Sequence, residues 1–180
     1  MAGVGYRRGE EIVLNPPAPP EPDLDRFHFG WDLIDWKDYL IPAPGGQGWF
    51  TKLPFSRGCP FRCSFCYNAG DPSRQLWRAH SPEYMREMIA FFQKRYQVSR
   101  VHLVADNPFG KVKAAQKALE TFSVKWTSPA HLSVVTPEFV DWANRAGCIQ
   151  LGFGIESGSD RVLKLMHKGF TADQIRERLA

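Results

Sequence analysis

Residues 49–67 read WFTKLPFSRGCPFRCSFCY. Residues 49–55 are a candidate strand, weakened by Pro54 because a proline cannot donate to a sheet ladder. Cys59, Cys63 and Cys66 follow at once, in the spacing C-x3-C-x2-C. Three closely spaced thiols on one short loop can bend around a compact metal core. Iron–sulfur electron carriers ordinarily supply four cysteines. A set of three leaves one iron with an open position for a substrate or cofactor. Two blander readings stay open at this point. One is structural zinc with His80 or Cys148 as fourth ligand, although only Cys63 and Cys66 have the knuckle spacing usual for zinc. The other is three unrelated thiols.

Downstream of this loop, strand and helix signals alternate. Ser81-Pro82-Glu83 is an N-cap with proline at the first helical position, and predicts a helix to about Tyr96. Residues 100–105 read as a strand, 111–121 as a helix and 124–127 as a short strand. Thr136-Pro137-Glu138 repeats the capped opening, and Gly147 closes that helix. Residues 148–155 form a continuous apolar strand. Ser159 is placed to cap a short helix ending at Gly169, and Thr171 with Gln174 has the spacing of a capping box. The order β-α-β-α-β-α-β-α implies a parallel sheet with right-handed crossovers. Neither Gly-x-Gly-x-x-Gly nor a phosphate-binding Gly-Lys-Ser/Thr loop follows the first strand, which argues against a dinucleotide or nucleotide-hydrolase fold. The fold class expected is α/β, a whole or partial (β/α) barrel, with its chemistry at the C-terminal strand ends. That is where the cysteine loop falls.

Residues 1–48 read differently. Residues 1–14 suggest a hairpin. Pro16, Pro17, Pro19, Pro20 and Pro22 then make a semi-rigid extended joint. Residues 23–41 alternate acids with Phe27, Phe29, Trp31, Trp36 and Tyr39, a pattern expected to lie across another surface. The domain division expected is therefore 1–48 (hairpin, Pro-rich linker and aromatic segment) and 49–180 (barrel part).

The whole chain of 180 residues suits one globular domain, with 43% hydrophobic and 23% charged residues. A net charge of +4 is too weak to imply a nucleic-acid partner. No apolar run approaches the ~20 residues of a membrane span, and the first residues lack a signal-peptide core. A secreted disulfide framework would spread its cysteines more evenly. The expected compartment is the cytoplasm.

The segment Ser56–Tyr67 resembles the cluster loop of the radical S-adenosylmethionine (radical SAM) superfamily. Gly152-Phe153-Gly154-Ile155-Glu156-Ser157-Gly158-Ser159 is similar to that family's "fGiESGs" stretch at the fourth strand. Gly5-Tyr6-Arg7, Ile12-Val13-Leu14, Asp23-Leu24-Asp25 and Trp31-Asp32-Leu33-Ile34-Asp35 look like the joint in its cobalamin-binding branch. No Asp-x-His-x-x-Gly cobalamin motif occurs, so cobalamin is expected only through an upstream domain missing here.

The resemblance implies that Cys59, Cys63 and Cys66 ligate a 4Fe-4S cluster whose open iron binds S-adenosylmethionine. It implies reductive cleavage to a 5′-deoxyadenosyl radical. Phe65 takes the aromatic position near the adenine. Asp106 and Asn107 take the place of groups that meet the cofactor's amino group, with Ala105 departing from the family pattern. Glu156 and Ser157 match groups that bond its ribose or methionine part. No residue is assigned a catalytic role. His131 stands where many relatives carry Arg, and reads more simply as a surface residue. Cys148 reads as a small buried hydrophobe. Arg57, Arg62, Arg74 and Arg78 flank the loop and read as surface or as attraction for an anion.

The partners implied are a small-molecule substrate and an electron donor such as flavodoxin or ferredoxin, with no membrane and no nucleic acid. Methyl transfer or oxidative cyclisation is the reaction implied. The alternatives are a tRNA methylthiotransferase-like protein and a non-catalytic zinc module. The family's partial barrel has six strands and four are read here. The chain is accordingly expected to be a fragment, inactive by itself, with strand four as an open edge.

Overall fold

The structure is a computed structural model and describes residues 1–27 and 30–180, apart from the side chain of Pro72. Strands β1 (Gly5–Arg8) and β2 (Glu11–Leu14) pair antiparallel as the expected hairpin. Short strand β3 (Ile41–Pro42) pairs antiparallel with β4 (Trp49–Pro54). A two-residue ribbon joins β5 (Ser56–Arg57) to β6 (Arg78–Ala79), on either side of the cysteine loop and helix α1 (Pro72–Gln75). Helix α2 (Pro82–Tyr96) leads to β7 (Val98–Val104), α3 (Val112–Leu119) to β8 (Lys125–Ala130), and α4 (Pro137–Arg145) to β9 (Cys148–Phe153). Helices α5 (Asp160–Leu165) and α6 (Ala172–Leu179) follow. None of the helices among the described residues is long and apolar enough to cross a membrane.

The main sheet has the order β3-β4-β7-β8-β9, and β4, β7, β8 and β9 run parallel. This is the mixed form of the partial barrel sheet expected from the alternating pattern. Ser81 and Thr136 cap as read, accepting from Tyr84 N at 3.1 Å and Phe139 N at 3.2 Å. The Thr171–Gln174 capping box is formed reciprocally. Ser159 stands at the N-cap position of α5 but its side chain makes no capping bond. Ser157 Oγ instead accepts from Ser159 N at 3.1 Å.

All four barrel strands differ in their bounds from the sequence reading, β4 ending at Pro54 rather than 55 and β7 running over Val98–Val104 rather than 100–105. β8 was expected at 124–127 and extends to Ala130, through Pro129. The ladder explains why the proline is tolerated. The β7 register ends at His102↔Thr127, whereas β9 pairs on to Ala130↔Phe153. Pro129 therefore sits past the last β7 pair, where a missing N–H costs least. β9 was expected over 148–155 as a continuous apolar strand, and stops at Phe153 with Ile149, Gln150 and Gly152 exposed. It pairs with β8 alone among the described residues, so it is an edge.

One face of the sheet packs on helices. Leu53, Val101, Leu103 and Trp126 meet Met85, Ile89 and Phe92 of α2, Leu119 of α3 and Phe139 of α4 in a single core. Truncating a fully buried ring such as Phe92 to Ala costs about 3–5 kcal/mol. The aromatic segment lies across α2 as its composition suggests. Trp31 and Trp36 rings stand 5.3 Å and 5.1 Å from Phe92. The segment is also tied by Asp25, whose carboxylate lies 2.8 Å from His80 Nδ1. Phe29 of that aromatic pattern lies outside the described residues. A second core of Leu132, Val135, Leu163 and Phe170 seats α5 beneath the end of β9.

Candidate functional site

The cysteine loop leaves the C-terminal end of β4 and is fastened at both of its flanks. Gly58 turns the chain at φ +85, and a Cβ there would lie 2.2 Å from Leu76 O. Only glycine fits that combination of positive φ and close backbone approach. Cys59 N donates to Arg74 O at 2.9 Å, and Cys66 N to Cys63 O at 2.9 Å. Ser64 reaches the far end of the sequence, its N donating to Met166 O at 3.0 Å and its Oγ to Leu165 O at 3.1 Å. The turn that ends α5 is thus the outer support of the loop.

All three cysteines line one cavity of about 200 Å³. Phe65, Asp106, Asn107 and Glu156 line it too, so four further sequence-assigned residues converge from three strand ends. Ser157 does not line it; its hydroxyl holds the turn before α5. Arg57, Arg62, Arg74 and Arg78 do not line it either. Arg62 bonds Gln75, Arg74 pairs with Asp71 at 3.3 Å, and Arg78 donates to Glu21 O at 2.6 Å. Cys148 begins β9, at the opposite end of the parallel sheet from Cys59. His80 is bonded to Asp25. Neither is placed to complete a zinc site, and no three His, Cys, Asp or Glu among the described residues converge on a single ion. A cubane cluster presents a separate iron to each thiolate, so its ligands stand wider apart than those of one zinc.

Asp106, just beyond β7, works as a clasp. Its Oδ2 accepts from Gly58 N at 2.9 Å and its Oδ1 from the Tyr67 hydroxyl. Burial opposes its charge, but the donors Tyr67, Gly58 and Asn68 outweigh that and hold its carboxyl below the usual range. Asn107 is buried, with Oδ1 accepting from Phe109 N at 3.1 Å and its carbonyl from Trp77 Nε1 at 2.7 Å. Burial raises the Cys59 thiol pKa. Asn107 Nδ2 and Asn68 Oδ1 are both buried with no hydrogen-bond partner, and both residues line the cavity.

Three polar residues of the cavity escaped the sequence reading or were read otherwise. Asn68 follows the third cysteine by two residues. His131 was expected at the surface; it is half-buried and stacks on Phe61 with ring centroids 3.6 Å apart. Burial and the nearby Lys168 charge push its pKa down to about 4. Lys168 is buried at 5% exposure, a rare state for a lysine. Its Nζ lies 4.0 Å from Glu156 Oε1 and faces the rings of Phe65 and Phe170 at 5.6 Å and 5.5 Å. The signal was the pair Lys168-Gly169, where a glycine at φ +73 turns the chain back under the site.

Residues 53–180 match the family model of the radical SAM superfamily. Over 184 aligned residues the chain is 28% identical to an anaerobic magnesium-protoporphyrin IX monomethyl ester cyclase of Synechocystis sp., covering 98% of this chain and 36% of that protein. It is also 28% identical to an uncharacterized methyltransferase of Pyrococcus horikoshii, covering 97% of this chain and 38% of that protein. The chain therefore spans little more than a third of the length of these curated relatives. Among solved structures, the cobalamin-dependent S-adenosylmethionine radical enzyme OxsB superposes with a TM-score of 0.69 at 19% identity, covering 96% of this chain and 26% of that chain. The radical S-adenosylmethionine methyltransferase TsrM from Kitasatospora setae gives 0.60 at 17% identity, covering 73% and 29%.

Proposed function

The chain belongs to the radical SAM superfamily, and on that premise we propose that Cys59, Cys63 and Cys66 hold a 4Fe-4S cluster beside a site for S-adenosylmethionine, which the protein cleaves reductively. One observation carries this reading. The three thiols share a cavity with two buried amide atoms, Asn68 Oδ1 and Asn107 Nδ2, that have no partner in the protein. Leaving such an atom unpaired costs about 1–3 kcal/mol, and a bound group with polar atoms would relieve it. Held by Cys59, Cys63 and Cys66, the cluster would supply the low-potential electron for reductive cleavage of S-adenosylmethionine.

The remaining work falls to this chain's own residues. Asp106 and Gly58 fix the entry of the loop so that Cys59 faces the cavity. Asn107 Nδ2, left without a partner in the protein, is a donor available to the bound group, and hydrogen bonds to a cluster are one of the ways a protein tunes it. Phe65 offers a ring face to the adenine. The Asp106 carboxylate, kept ionised, suits the cofactor's ammonium group. Glu156 suits the paired ribose hydroxyls, which two carboxylate oxygens can accept from together. Lys168 steadies Glu156 by its charge. The Phe61–His131 stack and Phe65 line the cavity.

The relatives include a magnesium-protoporphyrin IX monomethyl ester cyclase and a methyltransferase, which supports methyl transfer or oxidative cyclisation of a small molecule as the reaction of the longer protein. Cobalamin, bound in both structural neighbours, is the second cofactor this reading includes, and no residue of this chain is assigned to it. On the same reading residues 1–48 form the joint to whatever precedes the barrel part, and a flavodoxin or ferredoxin delivers the electron.

The test is anaerobic reconstitution followed by iron and sulfide analysis and visible spectroscopy. About four irons per chain are expected, with loss of the cluster in Cys59→Ala, Cys63→Ala or Cys66→Ala. Zinc in place of iron, or a cluster surviving all three substitutions, would refute the assignment.

A further inference from the structure

The face of the sheet that carries no helices is cationic. In-register pairing sets Lys52 beside His102, His102 beside Thr127, and Thr127 beside Gln150, so four strands present one continuous row. In-register neighbours point to the same face, and this face is opposite to that of Leu53, Val101, Leu103 and Trp126. Arg100 and Lys125 are paired in the next row toward the N-terminal strand ends. None of the face positions on β4, β7, β8 and β9 is Asp or Glu. Among the described residues no ion pair involves Lys52, Arg100 or Lys125. Concentrated positive charge without counter-charge on one face of a sheet raises the local concentration of anions.

Three of the four members of the row lie within reach of the cysteine cavity; Lys52 lines neither cavity. His102, Thr127 and Gln150 line a second cavity of about 420 Å³ that shares Pro129, Gly152 and Gly154 with the first. A Cβ on Gly152 would meet nothing within 4 Å, so the shared wall is uncrowded at that residue. The row stands two residues, or about 6.6 Å, below the Pro54–Val104 pair at the strand ends. Thr127 Oγ1 lies 2.8 Å from His102 Nδ1, and burial with the Lys52 charge lowers the His102 pKa, so a neutral imidazole is available as a donor.

We propose that this row anchors the substrate through an anionic group, a carboxylate or a phosphate, held by Lys52 and His102 with Arg100 behind them, while the apolar part of the substrate extends over Gly152 and Pro129 toward the cysteine cavity. The inference rests on the functional reading above and adds the substrate's chemical class to it. It assigns Lys52 and Arg100 a role that no cysteine-loop motif carries.

The test is calorimetric titration of the anaerobically reconstituted chain, saturated with S-adenosylmethionine, with pyrophosphate and separately with citrate. Binding of at least one is expected; the tighter arm tells phosphate from carboxylate chemistry. Lys52→Gln and Arg100→Gln should each weaken that binding about tenfold, and Lys94→Gln on the exposed face of α2 should leave it unchanged. Arg100→Lys should restore most of it. No binding of either anion, equal affinity in all variants, or displacement by S-adenosylmethionine would overturn the proposal. Iron content and S-adenosylmethionine affinity of the same samples report separately on the functional reading. The titration is repeated on cluster-free chain, so that the anion result stands even where no cluster forms.

Discussion

The Asp106 carboxylate beyond the end of β7 accepts a hydrogen bond from the backbone N–H of Gly58, 2.9 Å away and one residue before the first cysteine. This contact spans 48 residues of sequence and ties the second strand's end to the mouth of the cysteine loop. Asp106→Ala removes the acceptor for both Gly58 N and the Tyr67 hydroxyl. Hydrogen bonds to a charged group are worth about 1.5–3 kcal/mol when buried, and Asp106 is only partly so. A loss of about 1–2 kcal/mol is expected in chemical denaturation of the cluster-free chain, with lower iron uptake on reconstitution. Asp106→Asn should fall between the two.

Gly58 itself tolerates no side chain. Its φ of +85 and the 2.2 Å approach of Leu76 O mean that Gly58→Ala must move backbone. The expected result is a shift of Cys59 and a reconstituted cluster of much lower occupancy, read by iron content. Gly152→Ala, where a Cβ meets nothing, is the matched control and should load normally.

Glu156→Ala should weaken S-adenosylmethionine binding by a factor of ten or more, equivalent to the ~1.5–3 kcal/mol of a charge-assisted hydrogen bond. The cluster spectrum should stay the same, because Glu156 is not a thiolate ligand. Lys168→Met should have a smaller effect in the same direction, since Lys168 acts on Glu156 from 4.0 Å. Calorimetry under anaerobic conditions checks both. Unchanged affinity in Glu156→Ala would remove Glu156 from the site.

Cys148 should be the slowest of the four thiols to alkylate in cluster-free protein. Burial raises its pKa to about 11, so little of it is thiolate at pH 8. Mass spectrometry of a timed iodoacetamide reaction reads the order of modification. Early labelling of Cys148 would contradict its placement.

Acid should destabilise the cluster-free chain well before carboxylates titrate. His131 has its pKa lowered from 6.5 to about 4, and His80 and His102 are lowered by burial as well. The folded state then binds fewer protons than the unfolded chain below pH 6.5, so stability falls as pH drops from about 6.5 toward 4. Asp25 and Asp106, lowered from 3.8, begin to contribute only below that window. The unfolding midpoint should decline from pH 7 to pH 4.5, and His131→Gln should flatten the decline. A midpoint that rises over this range would reverse the assignment.

The parts of this site that share a short segment were legible in the sequence. The C-x3-C-x2-C spacing, the capped helix starts at Ser81 and Thr136, and the apolar runs of β7 and β9 each depend on neighbours a few residues away. What was not legible depends on pairs distant in sequence. Lys168 becomes a buried cation only because the turn after α5 folds under Ser64, about a hundred residues earlier. His131 enters the cavity by stacking on Phe61, a contact between two loops. β3 is two residues long with a proline, too short to carry an alternating pattern, and exists because β4 offers it an edge. The cationic row requires the register of four strands, and Lys52, His102 and Gln150 read singly are ordinary surface residues.

The central claim is that three cysteines hold a cluster whose fourth iron is left for S-adenosylmethionine. Mössbauer spectroscopy of chain reconstituted with 57Fe, recorded with and without S-adenosylmethionine, tests it most directly. One iron in about four should change its isomer shift and quadrupole splitting when the cofactor is added, and the others should not. Spectra that are identical with and without the cofactor, or iron sites all ligated alike, would contradict it.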